Sequence, residues 1–541
     1  MLPNNEELLE IQKLFSERKY KSALKRLDKL IGKSNQNVEL LINKISILIG
    51  MENYFEAKKI ASNLLLKNPN NADLLLNLGL INHKIREYDE AIIFYNSAYE
   101  KSPELFQSIL NLVSLYLEID DADNAILSLN RVKELISDYD IYHQLIAEAY
   151  LRKLQFSKAM EHHEQAVIKN PKNTKNFYLL GTDYLWSGDK VKAKELFLKA
   201  IELDNKNAEA YFALTKVERF DKSSSFFHNL LAIKDNKELS DSERSFIYFA
   251  LFNVYENSKE PIDAFKCLVE ANTIRGKIKK FNYKNLQKLT AKIKALYLKK
   301  FSTESYLYGI ENDVFNPIFI LGLPRSGSSL LEQILTNHDL IFGCGEINLI
   351  HETLKNSLNN NFDENLVELK EKYINKIRGI TNKNYFIDKL PLNFFWIGFI
   401  LKIFPNAKIL HTTRNPYDVF YSLYKNLFVE GALEFSYSQK NIIEFYKEYK
   451  LIIKFWNEYL SDKIYEVNYE KLVEEPEAET KKIFEFLNLK YEKKFIDIKA
   501  NKRWVRTASD TQIRENIQKK SQAEWMQYKD KLDYFNKFFN F

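Results

Sequence analysis

Pro317-Ile318-Phe319-Ile320-Leu321-Gly322-Leu323-Pro324-Arg325-Ser326-Gly327-Ser328-Ser329 decides how the second half of this chain folds. Its first seven residues read as a short buried strand. A glycine-bearing loop follows, then an amphipathic helix through about residue 337. Strand, tight loop and helix together aim backbone N–H groups and a helix N-terminus at one point, which suits an anion. Gly322 and Gly327 have the spacing of the phosphate loop G-x-x-x-x-G-K-[ST], but Ser328 stands where that pattern has lysine. The charge that meets the terminal phosphates of a nucleoside triphosphate is missing. That counts against a kinase or an NTPase.

Further strand-like segments lie near residues 385–388, 408–412 and 463–467. They alternate with helical segments near 392–404, 416–427 and 476–488. Such alternation predicts an α/β, P-loop-like domain with a parallel sheet and helices on both faces. Ligands of such sheets lie at the carboxyl ends of the strands. Arg325, Lys389 and Arg414 each fall just after such an end.

The first half carries a repeat. Alanine recurs every 34 residues, at Ala23, Ala57, Ala91, Ala125, Ala159 and Ala193. Ala98, Ala166 and Ala200 fill a second small position, and Gly79, Ala147 and Gly181 share a third phase. Tyr20, Tyr54 and Tyr88 share a fourth, which Phe156 continues. Asn68-Pro69, Ser102-Pro103 and Asn170-Pro171 are in register. Two helices that cross at close range need a side chain no larger than alanine at the contact, and each pair must stack on its neighbour to bury its face. A weaker unit follows at 242–275, its phase drifted by an insertion near 221–241. A lysine-rich helical stretch near 276–300 then leads into the strand at 317. The expected division is an all-α array over 1–275, a helical linker over 276–312 and an α/β domain over 313–541.

Composition agrees. Glycine and proline number 14 and 11 in 541 residues, well under the usual ~12%, as in a mostly helical chain. A net charge of +6 is too weak to imply a nucleic-acid binder but suits an anion held at one site. Cys267 and Cys344 are the only cysteines, so neither a disulfide scaffold nor a cysteine-rich zinc site is expected. The sequence offers no metal-ligand cluster. The longest apolar runs, 318–323 and 394–401, are far short of the ~20 residues that span a bilayer. Acidic residues near the N-terminus sit where a secretory signal needs a basic start. The expectation is a protein of a reducing compartment, the cytoplasm. The 32 tyrosines and 38 phenylalanines read as core.

The repeat resembles the tetratricopeptide (TPR) family, which implies a concave surface that binds a protein or peptide. Leu323-Pro324-Arg325-Ser326-Gly327-Ser328-Ser329 resembles the 5′-phosphosulfate loop of sulfotransferases, which use 3′-phosphoadenosine-5′-phosphosulfate (PAPS). Phe386-Ile387-Asp388-Lys389-Leu390-Pro391 is similar to the family's lysine-ended strand. The stretch from Ala407 to Ser422, with Arg414 at the strand end, is similar to its 3′-phosphate motif. The segment from Val505 to Arg514, with Ser521 and Trp525, is similar to the C-terminal part of bacterial TPR-sulfotransferases. Within the superfamily the chain looks closest to the protein-tyrosine sulfotransferase branch.

The resemblance implies roles. Arg325, with the amides of Ser326 and Gly327 and the hydroxyls of Ser328 and Ser329, faces the 5′ group through charge-assisted bonds. Arg414 and Ser422 take the 3′-phosphate. Lys389 meets charge developing on the bridging oxygen. Tyr469 contacts adenosine, and Ser509 a phosphate. Glu346, in Gly343-Cys344-Gly345-Glu346, is the base for the acceptor hydroxyl; His411 and His351 are rival bases. Glu346, Lys389 and Arg325 form the expected catalytic set, with PAPS as co-substrate and no metal. Relatives carry a basic residue just before the C-terminal tryptophan. Here Glu524 precedes Trp525, with Lys519 or Lys520 as substitutes for the charge. The implied acceptor is a protein tyrosine bound through the TPR array. Glycan or small-molecule sulfation, and an inactive nucleotide-binding adaptor, stay open.

Overall fold

The computed structural model describes residues 5–33, 37–301, 315–358, 362–428, 433–499, 501, 503–504 and 523–539. The chain divides into two compact units, Met1–Pro171 and Lys172–Phe541.

The first unit is a TPR-like solenoid of antiparallel helix pairs. The second helices of its pairs begin at Tyr20, Tyr54, Tyr88, Ala122 and Phe156, the 34-residue step of the alanines. Each of those alanines is fully buried. Gly79 shows why the neighbouring position is small: a Cβ there would sit 2.5 Å from the Tyr95 ring of the pair's second helix. The turn between the helices of each pair uses one left-handed residue in constant register: Arg18, Glu52, Arg86, Asp120 and Leu154.

The second unit opens with the same architecture. Ala193 is again buried, and Gly188 takes the left-handed turn position with φ 97°. Where the phase drifts, a short helix, Ser225–Ile233, lies between Ala208–Val217 and Asp241–Asn257. A Ser240–Glu243 capping box starts the last of these. Helices Pro261–Ile278 and Tyr283–Phe301 follow.

Among the described residues the sheet is five-stranded and parallel: β1 Asn316–Gly322, β2 Ile341–Gly343, β3 Tyr385–Asp388, β4 Lys408–Thr413 and β5 Ile464–Asn468, in the order β2-β3-β1-β4-β5. The four strands legible in the sequence are present. β2 was not anticipated, because three residues carry no period. The helix expected over 392–404 begins as a 3-10 turn, Pro391–Trp396, and becomes α-helical only at Ile397–Ile403. Ile318, Ile320, Leu410 and Val467 pack one face of the sheet against Leu331, Ile483 and Phe484. On the other face Phe319 meets Tyr373 and Phe404. β1 is central, so the loop after it opens at the point where strand order reverses, with β3 on one side and β4 on the other.

Candidate functional site

The turn after β1 is held by three left-handed residues. Gly322 has φ 140°, and a Cβ there would lie 2.5 Å from the Thr412 carbonyl oxygen of β4. Arg325 is left-handed at φ 74° despite its side chain, a strain of the kind that collects at functional sites. Gly327, φ 99°, caps helix Ser328–Leu335 and lies against the Tyr469 ring, where a Cβ would clash. Ser328 and Ser329 open that helix, so their amides are among those without an intrahelical partner.

Arg325 and Arg414 come together. Arg325 Nε donates to Ser422 Oγ at 2.8 Å. Arg414 donates to the Arg325 carbonyl at 3.4 Å, and its guanidinium lies 4.4 Å from the Tyr469 ring centroid, a cation–π contact. Arg325, Arg414, Ser422 and Lys425 face Asp418, Tyr421 and Glu524 around a cavity of about 20 Å³. Ser326 does not face this cavity. Its hydroxyl is buried on the Leu323 carbonyl and Thr412 Oγ1, each at 2.6 Å, so its side chain serves the loop and not a ligand.

Lys389 and Glu346 form a second cluster, just after β3. The Lys389 ammonium, 1% exposed, pairs with Glu346 Oε1 at 2.5 Å, and Glu346 is 45% exposed. The chain brings them together through its backbone: the Lys389 N–H donates to the Gly345 carbonyl at 2.7 Å, and the Cys344 N–H to the Ile387 carbonyl at 2.8 Å. Gly345 turns the loop at φ 68°. The fully buried Asp388 carboxylate accepts from Tyr373 Oη at 2.9 Å and from the Leu390 N–H at 3.1 Å. Burial pushes this carboxyl up to about 7 against those bonds and one from the Ile347 N–H. One side chain thus ties the Glu346 loop to the Lys389 turn.

The rival bases are spent inside the fold. His351 accepts from Trp396 Nε1 at 3.0 Å, and burial pushes it down to about 3. His411 bonds Tyr449 Oη at 2.7 Å, and burial pushes it down to about 4. Both side chains are buried. Ser509, Lys519, Lys520 and Ser521 lie outside the described residues. Trp525 is described and stacks on Tyr417 at 4.4 Å.

Sequence reasoning missed several residues. Asp418, Tyr421 and Lys425 share one face of helix Pro416–Lys425 with Ser422, which the sequence had singled out, and their spacing from it was readable. Arg503 pairs with Glu332 at 2.8 Å, and Glu332 accepts the Gly345 N–H at 3.2 Å; nothing local connects positions so far apart. Among the described residues, no group of three or more histidine, cysteine, aspartate or glutamate side chains could hold a metal ion. No described helix is long and apolar enough to cross a membrane.

Residues 317–493 match the sulfotransferase family, and residues 6–149 match ChAPs, the Chs5p-Arf1p-binding proteins. Relatives include an "Uncharacterized protein" of Aquifex aeolicus (strain VF5), 27% identical over 367 residues, 64% of this chain and 47% of that one. The chain therefore spans about half the length of that relative. Another is a "Putative protein-tyrosine sulfotransferase" of Caenorhabditis briggsae, 23% identical over 192 residues, 33% of this chain and 68% of that one. Similar solved structures include MamA of Desulfovibrio magneticus RS-1, 21% identical with TM-score 0.28, covering 31% of this chain and 94% of that one. YrrB, a TPR protein with an unusual peptide-binding site, is 18% identical with TM-score 0.28, covering 35% of this chain and 96% of that one.

Proposed function

We propose that the sulfotransferase domain matched over 317–493 moves a sulfuryl group from PAPS to an acceptor hydroxyl, a protein tyrosine. The array over 1–275, joined to the domain by 276–312, binds the acceptor or a partner protein, and the reaction belongs to the cytoplasm. One observation carries the reading. Arg325, from the loop after β1, bonds Ser422, from the helix after β4, with Arg414 closing on its carbonyl. The contact between the loops assigned to the two anionic ends of such a donor supports this reading.

The residues fit that ligand. Arg325 and the N-terminus of helix Ser328–Leu335 take the 5′ end, and Arg414 and Ser422 the 3′-phosphate. Tyr469 backs Arg414 on the adenosine side, and Ser509 adds a phosphate contact. When bound, PAPS supplies an activated sulfuryl group. Glu346, half-exposed beside Lys389, accepts the proton of the acceptor hydroxyl. Lys389 is buried at the end of β3, where a fixed ammonium in a low-dielectric wall meets developing negative charge without reorganising.

The test is sulfate-labelled PAPS offered with tyrosine peptides, glycans and cell lysate, with and without chelator. Label on tyrosine peptides that disappears in Arg325→Ala and Arg414→Ala is expected. Label that survives in either variant overturns the site. Label on glycans alone overturns the acceptor.

A further inference from the structure

The donor pocket contains an anion of its own. The segment 523–539 folds back over helix Pro416–Lys425 and is fixed along its length. The Ala523 N–H donates to Asp418 Oδ1 at 2.8 Å, Trp525 stacks on Tyr417, and Tyr417 Oη bonds Asn536 at 3.0 Å. Tyr528 Oη donates at 3.1 Å to Glu256, on helix Asp241–Asn257, and Tyr421 Oη donates to the same Glu256 oxygen at 3.0 Å. This strap delivers Glu524 onto the Lys425 ammonium inside the pocket.

The charge count follows. Among the described residues, Arg325, Arg414 and Lys425 face Asp418 and Glu524, three cations against two carboxylates. The cavity left between them is about 20 Å³, room for about one water. A nucleotide 3′-phosphate is close to doubly charged at neutral pH. It meets a pocket whose third cation is already engaged.

We infer that Glu524 is a phosphate stand-in: the 3′-phosphate of the donor enters by displacing Glu524 from Lys425, and Lys425 then becomes a phosphate ligand beside Arg414 and Ser422. This rests on the PAPS reading above. Glu524 thereby sets discrimination for the 3′-phosphate. A nucleotide without that group leaves the Lys425–Glu524 pair closed and gains nothing from its opening. A basic residue at this position would instead draw phosphate in with no exchange of partners.

The experiment is calorimetric titration of full-length protein, wild type, Glu524→Gln and Glu524→Lys, with adenosine 3′,5′-bisphosphate and with adenosine 5′-monophosphate. Removing the competing carboxylate is expected to tighten the bisphosphate about tenfold. The monophosphate should stay within about twofold. Hydrogen exchange over 523–532 is expected to rise when wild type binds bisphosphate and to stay level with monophosphate. Bisphosphate binding no tighter in Glu524→Gln than in wild type overturns the stand-in. So does equal tightening of both nucleotides, which is a general charge effect. If none of the three proteins binds the bisphosphate, the PAPS reading itself fails, and the stand-in with it.

Discussion

Lys389 places an ammonium group at 1% exposure with one carboxylate beside it. A buried charge without its partner is costly, so Glu346 holds Lys389, and in the proposed reaction it has a second duty, facing the acceptor. Glu346→Gln is expected to lower kcat by about 10²–10⁴ and to leave the affinity for adenosine 3′,5′-bisphosphate within about twofold. A parallel loss of nucleotide affinity would sink the assignment of Glu346 to the acceptor side. Asp388 behaves differently. Burial pushes it up to about 7, whereas an unfolded aspartate titrates near ~3.9. Between those values the folded chain holds a proton that the unfolded chain has released. The contribution of Asp388 to stability therefore falls as pH rises from about 4 to about 7. Asp388→Asn removes that slope, so the variant should lose less stability than wild type between about pH 5 and about pH 8. Urea midpoints measure this, and equal pH dependence in the two proteins would refute it.

At the scale of elements, geometry and chemistry meet in the loop after β1. Gly327 combines φ 99° with the Tyr469 ring against its α-carbon. Alanine there is strained by about 1–2 kcal/mol before the ring moves. Because the ring also backs Arg414, Gly327→Ala should weaken nucleotide binding more than it lowers the melting temperature. The reverse order would show a merely structural glycine. The array offers the opposite case. Arg86 is exposed and left-handed at φ 66° in the turn before helix Tyr88–Lys101, while Gly188 fills the same register in a later repeat. Arg86→Gly relieves the strain, partly offset by the flexibility glycine gives the unfolded chain. A net gain of about 0.5–1 kcal/mol is expected by thermal or chemical unfolding; a loss would mean that the turn tolerates arginine without strain.

For the whole molecule, the last helices of the repeat-like stretch belong to the unit that holds the sheet. Within Lys172–Phe541, Asn272 donates to the Tyr424 carbonyl at 2.9 Å. Phe265 packs against Tyr528 with ring centroids 5.4 Å apart, and Glu256 takes the hydroxyls of Tyr421 and Tyr528. Tyr421 lines the pocket of Arg325 and Arg414, so this hairpin is part of its wall. A chain of residues 172–541 should bind adenosine 3′,5′-bisphosphate within about threefold of full length. A chain of 276–541, which lacks Glu256, Phe265 and Asn272, should fail to bind it. Equal binding by both would show that the hairpin contributes nothing to the pocket.

The sequence by itself determined what depends on spacing. The alanines at a 34-residue step dictated the helix pairs, because close crossing admits nothing larger. The apolar run before Arg325 and the strand ends before Lys389 and Arg414 dictated a parallel sheet with its cations along one edge. Those signals are local, or they repeat at a fixed interval, and so survive in one dimension. Only tertiary structure decided the rest. It put Glu332 on Arg503, closed Tyr421 onto Glu256 and carried Glu524 to Lys425. It also buried His351 against Trp396 and His411 against Tyr449. Such pairings join positions with no shared period. They are fixed by which surfaces the packed core leaves facing each other.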